Sequence, residues 1–186
     1  MSARRVAVAV GVVAILVAAA WSVPRLGRLK AAFRHAVRIT PDAPPVDYLC
    51  YFPVAEGIDL VEEHRQAPKA ESPADRVRVL VTELGRGPAT TGSLPVLPED
   101  AAPRTVFLAS DGTAYIDFPR STLEQSLGPR EEFLLIRAIA RTLIRNCPEV
   151  RSFDFLADGA PTDNLVMHFP ARGKYILPRT RPSGKK

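Results

Sequence analysis

The run from Thr105 to Phe155 constrains the fold more than any other stretch. Val106, Leu108 and Ser110 alternate with Phe107 and Ala109, Asp111-Gly112 follows, and Ala114 to Phe118 resumes the apolar run. Asp-Gly between two such runs predicts a type I′ hairpin, because that turn needs positive φ at both central residues. Gly128-Pro129 then opens a helix that runs to about Asn146. Glu131 and Glu132 lie in its first turn and Arg141 and Arg145 in its last, matching the helix macrodipole. Ile136, Ala140, Leu143 and Cys147 form its predicted core face, widened by Phe133, Ile139 and Ile144. Arg137, Arg141 and Arg145 line the opposite face at i, i+4 spacing. Ser152 to Leu156 reads as a strand, closed by a second turn at Asp158-Gly159. The chemistry of this stretch is far less specific than its architecture.

Upstream, Asp47–Pro53 reads as a strand with Tyr48, Cys50 and Phe52 on one face, and Ile58–Gln66 as a second strand. Ser72-Pro73-Ala74-Asp75 is a helix start, with Ser72 as N-cap and Pro73 at N1. Val77, Leu80, Val81 and Leu84 form the core face of that helix, and Gly85 and Gly87-Pro88 stop it. Ala89–Arg104 is a Pro- and Gly-rich loop, long enough to be an interaction site. Leu165–Phe169 is a candidate last strand.

Charge is divided along the chain. Residues 1–46 carry seven Lys/Arg and one acid, and residues 172–186 carry six Lys/Arg and none. Residues 47–171 carry 12 basic and 19 acidic residues. The folded part is therefore acidic between basic flanks, which argues against nucleic-acid binding. Val6–Val23 is an uncharged run behind Arg4 and Arg5. Two readings fit it. One is an uncleaved signal anchor, favoured by Trp21 at the interface. The other is a signal peptide cleaved after Ala18-Ala19-Ala20. Arg25–Thr40 places Leu26, Leu29, Phe33 and Val37 at helical spacing among five basic residues, which suits either an anionic membrane surface or a solvated helix. Those charges, counted by the positive-inside rule, would put the downstream domain in the cytoplasm. Pro41–Pro45 is a stiff linker. The divisions are 1–24 for the membrane segment, 25–46 for the basic segment and linker, 47–175 for the domain and 176–186 for a basic tail.

The order and spacing of several pieces resemble the GerM domain, the sporulation and spore-germination module of bacterial envelope proteins. The pieces are Tyr51-Phe52, Leu60-Val61 with Arg65, Leu84 with Gly87-Pro88, Leu97-Pro98, the hairpin from Asp111 to Phe118, Gly128, Glu131, Ala138, Thr142-Leu143, Val150 and Asp158-Gly159. The likeness spans about Asp47 to Tyr175. A lipoprotein cysteine carried by many members is absent, and Arg141-Thr142-Leu143-Ile144 matches the family pattern only in part. The resemblance implies an α+β fold: a small two-layer sandwich, similar to ring-building motifs, with two helices on one face of a short mixed or antiparallel sheet. Behind an N-terminal membrane helix, such a domain would sit outside the cytoplasmic membrane. It would serve assembly with an envelope protein or its own copies, without catalysis or cofactor. The alternative is a binder of cell-wall polymer or a small ligand through loop 89–104.

The residues offer little against that expectation. His35, His64 and His168 have no ligand spacing, and no P-loop, dinucleotide fingerprint or nucleophile elbow appears. Glu62-Glu63 alternates across a strand and Glu131-Glu132 opens a helix, so neither pair reads as an acid–base couple. Cys50 and Cys147 both lie on apolar faces. In an exported domain they are candidates for a disulfide, and otherwise for buried free thiols. The Arg137/Arg141/Arg145 stripe is a candidate contact for an acidic partner, against the plainer reading of a solvated helix face.

Overall fold

The computed structural model describes residues 44–123, 127–161 and 174–178. The Val6–Val23 run, the Arg25–Thr40 segment, His35, His168, Leu165–Phe169 and the 179–186 tail lie outside the described residues. Among those described, no helix is long and apolar enough to cross a membrane.

The chain begins with an antiparallel ribbon. Strand β1 (Val46–Pro53) pairs with β2 (Leu60–Ala67) over eight residues, from Val46↔Ala67 to Pro53↔Leu60. The expected start of β2 at Ile58 moves to Leu60, because Gly57 takes φ +82° and the Val54 N–H closes a turn on the Asp59 carbonyl at 3.1 Å. Helix α1 (Pro73–Gly85) follows. The Ser72 hydroxyl oxygen accepts the Asp75 N–H at 3.1 Å, satisfying one of the orphan donors of the first turn. Val77, Leu80, Val81 and Leu84 are fully buried, as their spacing predicted.

The second sheet is mixed. β3 (Thr105–Leu108) runs antiparallel to β4 (Thr113–Phe118), and β4 runs parallel to β5 (Ser152–Ala157). Parallel neighbours need a crossover. Here it holds a short helix α2 (Arg120–Leu123), not anticipated from sequence, and the long helix α3 (Pro129–Asn146). β6 (Ala160–Pro161) and β7 (Tyr175–Ile176) each pair with β5. The strands thus form a two-stranded and a five-stranded ladder rather than one short sheet.

The two Asp-Gly dipeptides make different turns. Asp158 and Gly159 both take positive φ, +51° and +78°, and join Ala157 to Ala160 as a type I′ loop. At the β3–β4 hairpin only Gly112 does, at +84°. Gly112 N–H donates to Ala109 O at 3.0 Å and Ala109 N–H to Thr113 O at 2.9 Å. That is a three-residue loop ending in a left-handed glycine, not the two-residue type I′ turn expected. Asp111 prefers the ordinary region because its carboxylate there accepts the Thr113 N–H at 2.9 Å.

Inward residues of β4 and β5 alternate as period two requires: Ala114, Ile116 and Phe118 with Phe153, Phe155 and Ala157. Phe153 and Phe155 meet edge to face at 5.5 Å, and Tyr175 from β7 stacks on Phe153 at 5.0 Å. Each fully buried phenylalanine contributes about 1.5–3 kcal/mol. An exposed ion pair such as Lys174–Asp111 contributes less, because solvent screens it. The core, not the surface charge, holds this sheet.

Helix α3 is rotated from its expected setting. Leu135, Ala138, Ile139, Thr142 and Leu143 are buried, while Ile136 and Ala140 are only partly so. The reason is that α3 lies along the free edge of β1. Asn146 Oδ1 accepts the Leu49 N–H at 3.1 Å and its Nδ2 donates to the Leu49 carbonyl at 2.8 Å. Thr142 Oγ1 accepts the Tyr51 N–H at 3.1 Å. Polar side chains one turn apart therefore complete a strand edge that would otherwise stand open. Asn146→Ala is expected to cost about 1–3 kcal/mol, because two part-buried backbone groups lose their partners. Urea unfolding checks this, and a loss under about 0.5 kcal/mol would mean that water replaces the side chain.

Candidate functional site

In the arginine stripe of α3, Arg137 is half-buried while Arg141 and Arg145 are exposed. Arg137 donates to the Ile58 carbonyl, and its guanidinium lies over the Phe133 ring at 5.4 Å. Arg130, two turns earlier, donates to Ala55 O at 3.1 Å and Gly57 O at 2.9 Å. Together they cap the carbonyls of the β1–β2 turn. Arg141 lies over the ring of Tyr51 at 5.4 Å, an attraction between cation and ring quadrupole. The Tyr51 hydroxyl in turn donates to Glu62 on β2. Burial, and then Glu62, push the Tyr51 hydroxyl above its ordinary range, while Arg145 and Arg141 oppose them. Arg141 and Arg145 thus lie near Tyr51, and Arg137 lies against the β1–β2 turn. Ile58, 53% exposed, lies at the same rim.

Glu62 and Glu63 point to opposite faces, as strand alternation predicted, and do different work. Glu63 is buried. Its Oε2 takes Arg65 Nη2 at 2.6 Å and the Ala89 N–H at 3.1 Å, and its Oε1 takes the Thr90 N–H at 2.9 Å. Arg65 also donates to Gly87 O at 2.6 Å and lies over Phe52. This pair ties down the root of loop 89–104. Sequence reasoning missed it. The available signal was two opposite charges at i, i+2 on the inward face of a strand.

The loop forms one wall of a groove of about 540 Å³. Leu94–Glu99 faces the end of α1 (Gly85–Pro88) and the first turns of α3, with Leu134 and Leu135 at its floor. Among the described residues no aromatic side chain lines it. The groove lies beside the loop of the ligand-binding alternative.

The titratable groups among the described residues are held by local partners. Asp117 and Asp154 are pushed up by burial, with Asp158 adding to the rise of Asp117, and each accepts a backbone N–H. Lys174, bonded at 2.6 Å, holds Asp111 far below the carboxylate range. His64 joins Asp47 at 2.6 Å on an exposed face and is raised by it. Among the described residues no group of His, Cys, Asp and Glu could hold a metal. Cys50 and Cys147 belong to the same core cluster and are free thiols here. Burial pushes each up to about 12, so neither is a thiolate at neutral pH.

Two solved structures share this architecture. The first GerMN domain of the sporulation protein GerM from Bacillus subtilis is 20% identical with a TM-score of 0.52, over 72% of this chain and 94% of that one. The tandem GerMN domains of the same protein are 16% identical with a TM-score of 0.53, over 77% of this chain and 50% of that one. At these identities the likeness shows the fold alone. No curated protein matches the sequence. Residues 49–163, more than half of the chain, match the family described as Germane, sporulation and spore germination. The chain belongs to the Germane family, and its folded part is a GerMN domain.

Proposed function

We propose that this chain is a non-catalytic, membrane-anchored module that meets other proteins on the outer side of a bacterial cytoplasmic membrane. The observation that carries the reading is the pinned arginine face. Arg137 and Arg141 are held by Ile58 O, Phe133 and Tyr51, so their placement costs little further ordering when a partner arrives. Arginine and aromatic side chains beside an exposed Ile58 are the composition that interfaces favour. The partner surface would be acidic, meeting Arg141 and Arg145 across the rim. A non-catalytic role also suits the family, which is not known as catalytic.

The anchor reading rests on Val6–Val23, and the outward placement opposes the positive-inside count. Protease treatment of intact spheroplasts decides it. Digestion of the domain without lysis is the expected result; protection until lysis would put the domain inside and end this reading. The contact itself is tested by reversing Arg137, Arg141 and Arg145 to glutamate. Cross-linked partner recovery should fall at least tenfold, and unchanged recovery would remove the arginine face. A bridge between Cys50 and Cys147 belongs to the same exported setting. Equal gel mobility with and without reductant, and alkylation of both thiols after unfolding, would dismiss it.

A further inference from the structure

Strand β3 ends the five-stranded sheet, and no described segment pairs with its outer side. Ala109 N–H on Thr113 O sets the parity of the ladder. Thr105 and Phe107 then turn their backbone groups toward β4, and Val106 and Leu108 turn theirs outward. The side chains alternate too. Val106 and Leu108 pack on the core, while Phe107 stands 56% exposed on the other face, stacked on Tyr115 at 6.4 Å.

Two features separate this edge from the other long strand edge. β2 carries Glu62, Glu63, His64 and Arg65, the charges by which strands guard against pairing. Thr105–Leu108 carries none. At its two ends the charges are already matched, Arg104 with Asp158 and Asp111 with Lys174. Two such edges meet without like-charge repulsion from these groups.

We infer that β3 pairs antiparallel with β3 of a second copy of this chain about a two-fold axis. Val106 then faces Leu108 of the other copy, and Leu108 faces its Val106. This register uses both outward N–H groups and both outward carbonyls of each strand. Facing Val106 with Val106 instead would leave those of Leu108 unused. Phe107 falls on the axis as a non-hydrogen-bonded pair, with Cβ atoms about 4.5–5.5 Å apart. The Tyr115–Phe107 stack then continues into its symmetry mate. A foreign strand could fill the edge, but only a second copy brings an aromatic to Phe107 by symmetry, as an isologous contact requires. This contact is separate from the arginine face and does not depend on it.

Sedimentation equilibrium of the full chain in detergent is expected to rise from 20.3 kDa toward twice that value with concentration. Phe107→Lys should weaken the dimer at least tenfold. Phe107→Cys should give a covalent two-chain species on mild oxidation, because a non-hydrogen-bonded antiparallel pair suits a disulfide. Ile176→Cys, at a position 81% exposed, should not. A constant single-chain mass, a Phe107→Lys dimer as tight as the parent, or equal cross-linking of the two cysteine variants would each overturn the contact. A dimer formed by the N-terminal apolar run would survive Phe107→Lys and count against it. Partner recovery through Arg141 and Arg145 would be untouched by any of these failures.

Discussion

Replacing Glu63 by alanine is expected to destabilise the domain by about 3–5 kcal/mol, the usual cost of leaving one member of a buried ion pair alone. Arg65 would keep its charge with only the Gly87 carbonyl and the Phe52 ring as neighbours. The N–H groups of Ala89 and Thr90 would lose their acceptor. Against a total stability of roughly 5–15 kcal/mol this is a large fraction. Glu63→Gln keeps the shape but has one acceptor oxygen, so it can hold only one of the Ala89 and Thr90 N–H groups; its loss should still be smaller than that of alanine. Replacing Glu63 and Arg65 together by leucine should cost less than the sum of the single changes, because no unpaired charge remains. Chemical denaturation of the parent, Glu63→Leu, Arg65→Leu and the double variant measures this coupling. Strict additivity would mean that the pair is not coupled.

The same carboxylate gives a pH dependence with a definite sign. Burial raises Glu63, but the Ala89 and Thr90 N–H groups, the Thr90 side chain and Arg65 outweigh it, and the net shift is downward. A carboxyl depressed in the folded state contributes stability that is present above its unfolded value near 4.3 and lost as pH falls through the lower folded value. Acid unfolding of the parent should therefore be steeper below pH 4 than that of Glu63→Gln. Parallel curves would contradict the assignment.

Gly85→Ala should destabilise the domain by about 2–3 kcal/mol, although helix propensity taken alone favours alanine by roughly 1 kcal/mol. A Cβ at this position would lie 1.9 Å from the Ala101 carbonyl oxygen and 2.9 Å from its carbon. Those are backbone atoms of a buried residue, so no side chain can swing aside. Gly85 O also accepts the Asp100 N–H at 3.0 Å, which locks the two segments together. Thermal unfolding reads the result. A variant as stable as the parent would show that the loop does not close on α1 as described. The groove wall from Leu94 to Glu99 hangs from this contact, so protease should cut the loop sooner in the variant.

How far the sequence could be read differs from element to element. Val77, Leu80, Val81 and Leu84 declared α1 through their spacing, because a helix needs one apolar stripe and little else. The setting of α3 was misread at Ile136 and Ala140 because its stripe is not purely apolar. Thr142 and Asn146 are buried or half-buried to serve the edge of β1, and hydrophobic periodicity ignores polar groups that work inward. The first Asp-Gly was assigned the wrong turn for a similar reason. Asp111 has a local carboxylate contact that the dipeptide rule leaves out.

The candidate site was legible as a list and not as an arrangement. The i, i+4 spacing of Arg137, Arg141 and Arg145 put them on one face of α3. That Arg137 would reach Ile58 and Arg141 would lie on Tyr51 required β1 and its turn to come alongside, across more than seventy residues of chain. Alternation puts Glu63 and Arg65 on one strand face, but their pairing under the loop needed the loop's own N–H groups to arrive.

By itself the sequence determined the order of the major elements, the caps of α1, the apolar faces of β4 and β5, and the family. These follow from short-range rules: residue period, φ preference and side chains that reach the nearest backbone. Only the tertiary structure decided that β4 and β5 run parallel, that α3 closes the edge of β1, and that a buried ion pair anchors loop 89–104. Those contacts join residues far apart in the chain, and their energies depend on which groups are shut away from water together.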